Sequence, residues 1–271
     1  MSGEEFRAEV KNGQRFEFGK NWKKFLNTLD DQRVNQAENS LKTMLDVDNF
    51  DGKTFLDVGS GSGLFSLAAR NLGAKVTSFD FDEESVFCTK QLKSQFYKDD
   101  NQWNVMQGSV LDDEFLSTLS GFDFVYSWGV LHHTGDIWKA LDNVTGLVKN
   151  GGTLFIALYN HQPFKSKYWT FVKKTYIRVP LIRPFWIFLH LVYPTLPSVL
   201  LRYVQKRKSP RGMTVWYDLL DWLGGYPFEV STPHEIFNFY KSRSFSLFQI
   251  KTVGGTLGCN EYVFRRGMCN Q

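Results

Sequence analysis

Asp57, Gly59, Gly61 and Gly63 close a short apolar run, Phe55-Leu56-Asp57-Val58, and lead into a second apolar segment that starts at Leu64. That order reads as a strand, a glycine-rich turn and a helix N-terminus. Glycines there take backbone angles that other residues avoid, and they let main-chain N–H groups approach a ligand closely. With Ser60 between the first two, the turn suits an adenosine-containing cofactor. A dinucleotide fingerprint would need its third glycine at the position of Leu64. Asp57 would sit awkwardly beside a pyrophosphate, but it suits a cofactor that carries a cationic amino group. A second acid, Asp80, ends the segment Lys75–Asp80. It follows the glycines at about 20 residues, where a carboxylate takes both hydroxyls of a ribose. Phe81 is placed to flank the base, and Asp82 reads as the cap of the next helix. Further on, His132 and His133 follow the buried-strand composition of Gly121–Trp128. Imidazole titrates near neutral pH, so either ring is a candidate proton acceptor, and either is equally a structural prop for its loop.

The stretch Asp57-Val58-Gly59-Ser60-Gly61-Ser62-Gly63 resembles the first motif of the class I S-adenosylmethionine-dependent methyltransferases. The segment from Phe122-Asp123 to Leu131-His132-His133 resembles the F-D-x-V-x-x-x-x-x-L-H-H segment of their small-molecule members, of the quinone O-methyltransferase kind. The resemblance covers roughly Phe50 to Tyr159 and Phe245 to Arg265. It implies S-adenosylmethionine as cofactor, held by Asp57, Gly59, Ser60, Gly61, Gly63, Asp80, Phe81, Ser109, Val110, Trp128 and Gly129. At the third motif the chain departs from the family: Ser109 stands where an acid usually meets the adenine amino group. The resemblance also sends His132 and His133 into the reaction chamber. His161, just past a strand end, is the second choice of base.

These residues need a scaffold that brings strand ends together. Apolar, non-alternating strands separated by helical segments argue for a parallel sheet covered on both faces. The expected architecture is α/β, a Rossmann-like class I methyltransferase fold with a mostly parallel seven-stranded sheet. To it are added an N-terminal helical cap over residues 1–50 and a helical insertion, residues 161–232, after the fifth strand. Residues 51–160 and 233–271 form the cofactor-binding core. Ligands of such sheets bind at the C-terminal strand ends, where Asp57, Asp80, Ser109, Trp128 and Tyr159 all fall. Within the cap, Lys20 would meet a cofactor carboxylate or simply be solvated, and Trp22 would wall the pocket. Beyond the fifth strand, Tyr159, Tyr226, Glu229 and Asn260 are the candidate acceptor-binding residues, with Glu261 beside them. Gly224-Gly225 and Pro227 make the turn that holds Tyr226 and Glu229.

The insertion is aromatic and basic. Trp169, Val172, Tyr176 and Val179 share one helical face, and Lys167, Lys174 and Arg178 the other, which Phe171 interrupts. Pro184 to Leu201 carries no Asp, Glu, Lys or Arg and is flanked by Arg183 and Arg202. Three prolines disfavour a membrane span there. A lid over the acceptor and a peripheral membrane contact through residues 168–208 both fit this pattern.

The chain has 271 residues, 42% hydrophobic, with a net charge of +4, which fits a globular enzyme and demands no nucleic-acid partner. Three scattered cysteines make no metal-ligand spacing, so no metal is expected and a reduced, cytoplasmic setting is the simpler reading. No secretory signal is visible in the polar N-terminus. The expected activity is methyl transfer to a small molecule, most simply to an oxygen of a lipophilic or glycosidic acceptor. An RNA or protein methyltransferase, or a noncatalytic cofactor-binding domain, is the alternative. Against the first, Ser127-Trp128-Gly129-Val130 stands where amino-methylating nucleic-acid enzymes carry N-P-P-Y or D-P-P-Y.

Overall fold

The computed structural model describes residues 3–26, 29–190 and 215–268, less the side chains of residues 20, 23–25, 215–218 and 221. Three helices come first, α1 (Gly3–Lys11), α2 (Gly19–Leu26) and α3 (Asp31–Leu45). The core then alternates β1 (Thr54–Val58), α4 (Leu64–Asn71), β2 (Lys75–Asp80), α5 (Glu83–Phe96), β3 (Trp103–Gln107) and α6 (Asp113–Ser117). It continues with β4 (Phe122–Trp128), α7 (Ile137–Leu147) and β5 (Val148–Tyr159). The insertion supplies α8 (Pro163–Arg178), α9 (Arg183–His190) and α10 (Val215–Gly224). The chain closes with α11 (Pro233–Lys241), β6 (Phe245–Lys251) and β7 (Cys259–Arg266).

The seven strands form one sheet in the order β3-β2-β1-β4-β5-β7-β6. All neighbouring pairs are parallel except those made by β7, which runs antiparallel to both β5 and β6. The order reverses between β1 and β4, so the crevice for a ligand lies at their C-terminal ends. Both faces are buried, which explains the continuous apolar strands. Leu56, Val58, Val125 and Ile156 pack toward α7 and α11, whereas Phe55, Tyr126 and Phe155 pack toward α3 and α4. Asp57 follows Phe55 by two residues and so shares the second face.

Local chemistry sets the ends of these elements. Asp82 caps α5 by accepting from the Glu84 N–H, as the sequence indicates. Thr232 and Glu235 form a capping box at α11, with Pro233 in its first turn. Residues 149–152, with Gly151 and Gly152, form a bulge inside β5. Phe122 pairs with Val148 and Phe124 with Thr153, so the residues between loop out of register. In the insertion, Val172 and Tyr176 are buried as the helical face requires, but Val179 lies past the end of α8 and is exposed. With Ile177, Trp186, Leu219 and Leu223 they make a small core separate from the two against the sheet. Of the charge-free run that starts at Pro184, the described part ends at His190. Among the described residues, no helix is long and apolar enough to cross a membrane.

Candidate active site

A cavity of about 470 Å³ opens at the C-terminal ends of β1, β2 and β4, within the usual size for a small-molecule site. Its floor is the glycine turn. Gly59, Gly61 and Gly63 all have positive φ, between 54° and 81°. A Cβ at Gly59 would lie 2.4 Å from the Val130 side chain, so here the glycine is required both by backbone angle and by close packing. Gly63 does not line the cavity; its left-handed φ starts α4, and it packs on Thr89. Ser60, Gly61 and Gly59 do line it.

Two carboxylates face this floor, Asp57 buried and Asp80 half-buried. Asp57 is 2% exposed and accepts a 2.5 Å hydrogen bond from the Ser66 hydroxyl. Ser66 in turn bonds the Ser78 hydroxyl, which accepts from the Trp103 indole. Asp80 accepts from the Gly61 N–H through one oxygen and from the Asp82 N–H through the other, each at 2.9 Å. Burial raises the pKa of Asp57 to about 7 despite the Ser66 bond. Burial and the neighbouring Asp82 carboxylate raise Asp80 to about 7 as well. A cavity that holds acids this far above their ordinary range suits a cationic guest, because a positive charge would restore their ionised forms. The Tyr126 hydroxyl, in the same wall, is buried with no hydrogen-bond partner among the described residues, and so leaves a donor for a ligand. The residues present therefore fit an S-adenosyl cofactor. Phe81, Ser109, Val110, Trp128 and Gly129 also line the cavity. The Ser109 hydroxyl accepts from the Leu111 N–H, which fixes its direction. Asp112 caps α6.

The N-terminal segment walls the other side. Arg15 donates to the carbonyl oxygens of His133 and Thr134 at 2.8 and 3.0 Å, and its guanidinium lies over the Phe81 ring. The Gly19 N–H donates to Asp82 at 2.7 Å. Trp22 lies against Gly61 and lines the cavity. The Lys20 side chain lies outside the described residues.

At the far end His133, Tyr159, Trp222, Cys259 and Glu261 complete the wall. His133 Nδ1 is 2.6 Å from the Pro227 carbonyl oxygen, which can only accept, so Nδ1 carries the proton and Nε2 keeps its lone pair. Burial and the nearby Lys173 and Arg15 charges push its pKa down to about 3. His132 does not reach the cavity wall. It is fully buried, its ring centroid lies 3.9 Å from that of Tyr159 with the planes tilted by 39°, and it accepts from the Tyr159 N–H through Nδ1. His161 is exposed and also lies away from the cavity.

Three expected acceptor residues are occupied elsewhere. Tyr226 accepts from the Phe16 N–H through its carbonyl and packs against the insertion core. Glu229 accepts from the Gly135 and Ile137 N–H groups, serving the start of α7. Asn260 is 1% exposed, donates to Asn160 Oδ1 and accepts from the Val253 N–H. On a strand, alternate side chains face opposite ways, so β7 turns Cys259 and Glu261 into the cavity and Asn260 out of it. Glu261 accepts from the Trp128 indole at 3.3 Å.

Three residues the sequence did not single out shape this end. Arg15 and Trp222 line the cavity. Lys173 stands behind it, fully buried, donating to the Trp222 carbonyl, with its ammonium 4.5 Å from the Trp222 ring centroid and 5.0 Å from that of Phe228.

Comparison with known proteins finds similarity in sequence and in fold. Residues 56–154 match a family described as a methyltransferase domain. A ubiquinone biosynthesis O-methyltransferase of Coxiella burnetii is 33% identical over 127 residues, 46% of this chain and 51% of that protein. One from Xanthomonas campestris is 34% identical over 112 residues, 41% of this chain and 45% of that protein. The chain thus spans about half the length of the curated relatives it matches. Among solved structures, a magnesium protoporphyrin IX methyltransferase from Synechocystis with bound SAH superposes with a TM-score of 0.52 at 15% identity, covering 87% of this chain and 83% of that one. An O-methyltransferase family protein from Burkholderia thailandensis gives 0.55 at 12% identity, covering 89% and 59%.

Proposed function

We propose that the chain is a class I S-adenosylmethionine-dependent methyltransferase, a reading supported by its sheet order and by the methyltransferase domain matched over residues 56–154, and that it methylates an oxygen of a lipophilic small molecule. The cofactor, when bound, supplies a methyl group already activated on a sulfonium. The protein's share is binding, orientation and removal of one proton. Asp80 takes the ribose hydroxyls, and the glycine turn and Asp57 receive the amino-acid end. Phe81, Ser109 and Val110 take the base. Of the three divisions, the described parts of residues 1–50 close the mouth, those of residues 51–160 and 233–271 carry the cofactor, and those of residues 161–232 cover the acceptor end.

The observation that carries the reading is His133 on the cavity wall, with its proton committed to Pro227 and its second nitrogen available. A base held near pKa 3 does not ionise an alcohol or phenol in advance. It does take the proton once the oxygen gains a methyl group, because that proton then becomes strongly acidic. Tyr159, Trp222 and Trp128 offer flat apolar surface for a ring or an isoprenoid tail, consistent with the quinone pathway named for the curated relatives.

Acceptor pools incubated with isotopically labelled S-adenosylmethionine, read by mass spectrometry, test this. Label should appear on an oxygen of an apolar metabolite. His133→Gln should lower turnover about 10²–10⁴-fold, the range for a positioned base, while S-adenosylhomocysteine affinity stays within about twofold. Label confined to RNA or protein, or unchanged turnover in the variant, would overturn the assignment.

A further inference from the structure

From Asn160 to Tyr217 the chain holds eleven of its 32 lysines and arginines and none of its 28 acids. A net charge of +4 therefore conceals a strongly basic insertion on an acidic remainder. The described part of that insertion also shows large apolar side chains to solvent. Phe164 is 88% exposed, Leu181 94%, Phe188 68% and Phe171 58%.

The apolar and basic groups share one surface. On α8, Phe164, Lys167, Phe171, Lys174 and Arg178 recur every three or four residues, which places them along one stripe. They are all exposed, while the opposite stripe, Val172, Tyr176 and Ile177, is buried in the insertion core. Leu181, Phe185 and Phe188 make the matching stripe beside and along α9. Trp186 joins the two, with ring centroids 6.2 Å from Phe171 and 5.1 Å from Phe185. The result is a run of exposed aromatic and aliphatic groups along both helices, with cations interspersed on α8 and the buried Trp186 ring beneath.

Single exposed hydrophobics need no explanation, but such a basic-aromatic ridge does. A protein partner for it would have to be both acidic and apolar. An anionic bilayer surface offers both in one place: head groups for the lysines and arginines, and the acyl boundary for the phenylalanines and leucine. The two helices, of 16 and 8 residues, are suited to lie in that interface and not to cross it.

We propose that the α8–α9 ridge docks this protein on an anionic lipid surface. The proposal stands apart from what the cavity transfers, since no ridge residue lines the cavity.

Cosedimentation of the full chain with vesicles tests it. Vesicles of phosphatidylcholine with phosphatidylglycerol should pellet the protein at low salt, and pure phosphatidylcholine should not. High salt should release it. Lys167→Gln combined with Lys174→Gln should weaken binding about 25-fold, at about fivefold per cation removed near a charged surface. Phe164→Ser combined with Leu181→Ser should abolish pelleting. All four side chains are exposed, so thermal stability and S-adenosylhomocysteine affinity should not move. Absence of pelleting with anionic vesicles, or pelleting unaffected by both double variants, would overturn the proposal. So would a concentration-dependent dimer dissolved by the Phe164/Leu181 variant, which would assign the ridge to a second copy of the chain.

Discussion

Asp57 and Asp80 decide how the cofactor site responds to pH. Asp57 is buried and Asp80 half-buried, and both are pushed up to about 7 in the free protein. For an acid whose folded pKa lies above its unfolded value, the stabilising contribution is present below the ordinary carboxylate range and is lost as pH rises through about 7. The free protein should therefore lose stability between about pH 4 and pH 7 on account of this pair. Bound cofactor would reverse the cost, because its ammonium favours ionised Asp57 and its ribose hydroxyls, as donors, favour ionised Asp80. Calorimetry should show S-adenosylhomocysteine affinity rising from pH 6 to pH 8 and levelling off above, with proton release detected by repeating the titration in buffers of different ionisation enthalpy. The Asp80→Asn variant should flatten that rise. Affinity independent of pH over this range would refute the role of the pair. Asp57 was legible because it stands one residue from the end of a short apolar strand that runs into the glycine turn, and Asp80 because it ends an alternating segment about 20 residues on. Tyr126 was not, because an unpartnered hydroxyl inside an apolar strand looks like any core tyrosine until its neighbours are known.

At the level of elements, the sheet follows directly from apolar strands punctuated by glycine, while the contacts between distant elements do not. The α2 helix is an example. Its first residue, Gly19, touches the start of α5 so closely that a Cβ would lie 2.5 Å from Glu84 Cβ and 2.8 Å from the Ser85 nitrogen. The Gly19 N–H also bonds Asp82, itself the cap of α5. One glycine thus joins two helix N-termini at the cavity mouth. Gly19→Ala should push α2 away and break that hydrogen bond to a charged group, weakening S-adenosylhomocysteine binding about tenfold or more. Limited proteolysis should show faster cleavage between α1 and α3, with the sheet core intact. Wild-type cleavage and affinity in that variant would show that the mouth tolerates a methyl group there. The same limit explains the error on β7. Cys259, Asn260 and Glu261 carry no apolar alternation that reveals which face is which, so only pairing with β5 shows that Glu261 faces the cavity.

Across the whole molecule, the insertion builds its own small core and meets the sheet domain through hydrogen bonds at Pro227 and Glu229 and ring contacts on Tyr159, and Lys173 sits where the two join. Its ammonium reaches the Trp222 carbonyl near the C-terminal end of α10, where a cation is favoured by the helix dipole and by the unpaired carbonyls. Trp222 is also cavity wall and packs edge-on against Tyr159 at 5.6 Å. The same charge helps hold His133 neutral. Lys173 thereby couples the placement of the insertion to the protonation state of the proposed base. Lys173→Met retains the bulk of the side chain and removes the charge. Replacing a buried charge by a well-packed apolar group is often tolerated, so the variant should fold. Loss of a charged hydrogen bond, worth about 1.5–3 kcal/mol, should then appear as an acceptor KM raised tenfold or more. S-adenosylhomocysteine affinity should stay within about twofold, because the glycine turn and Asp80 lie at the other end of the cavity. The His133 titration, followed by NMR, should move upward from about 3 once the neighbouring positive charge is gone. A structural role alone would lower stability and leave that titration in place. If KM and the His133 titration both stay at their wild-type values, Lys173 does not link the insertion to the chemistry.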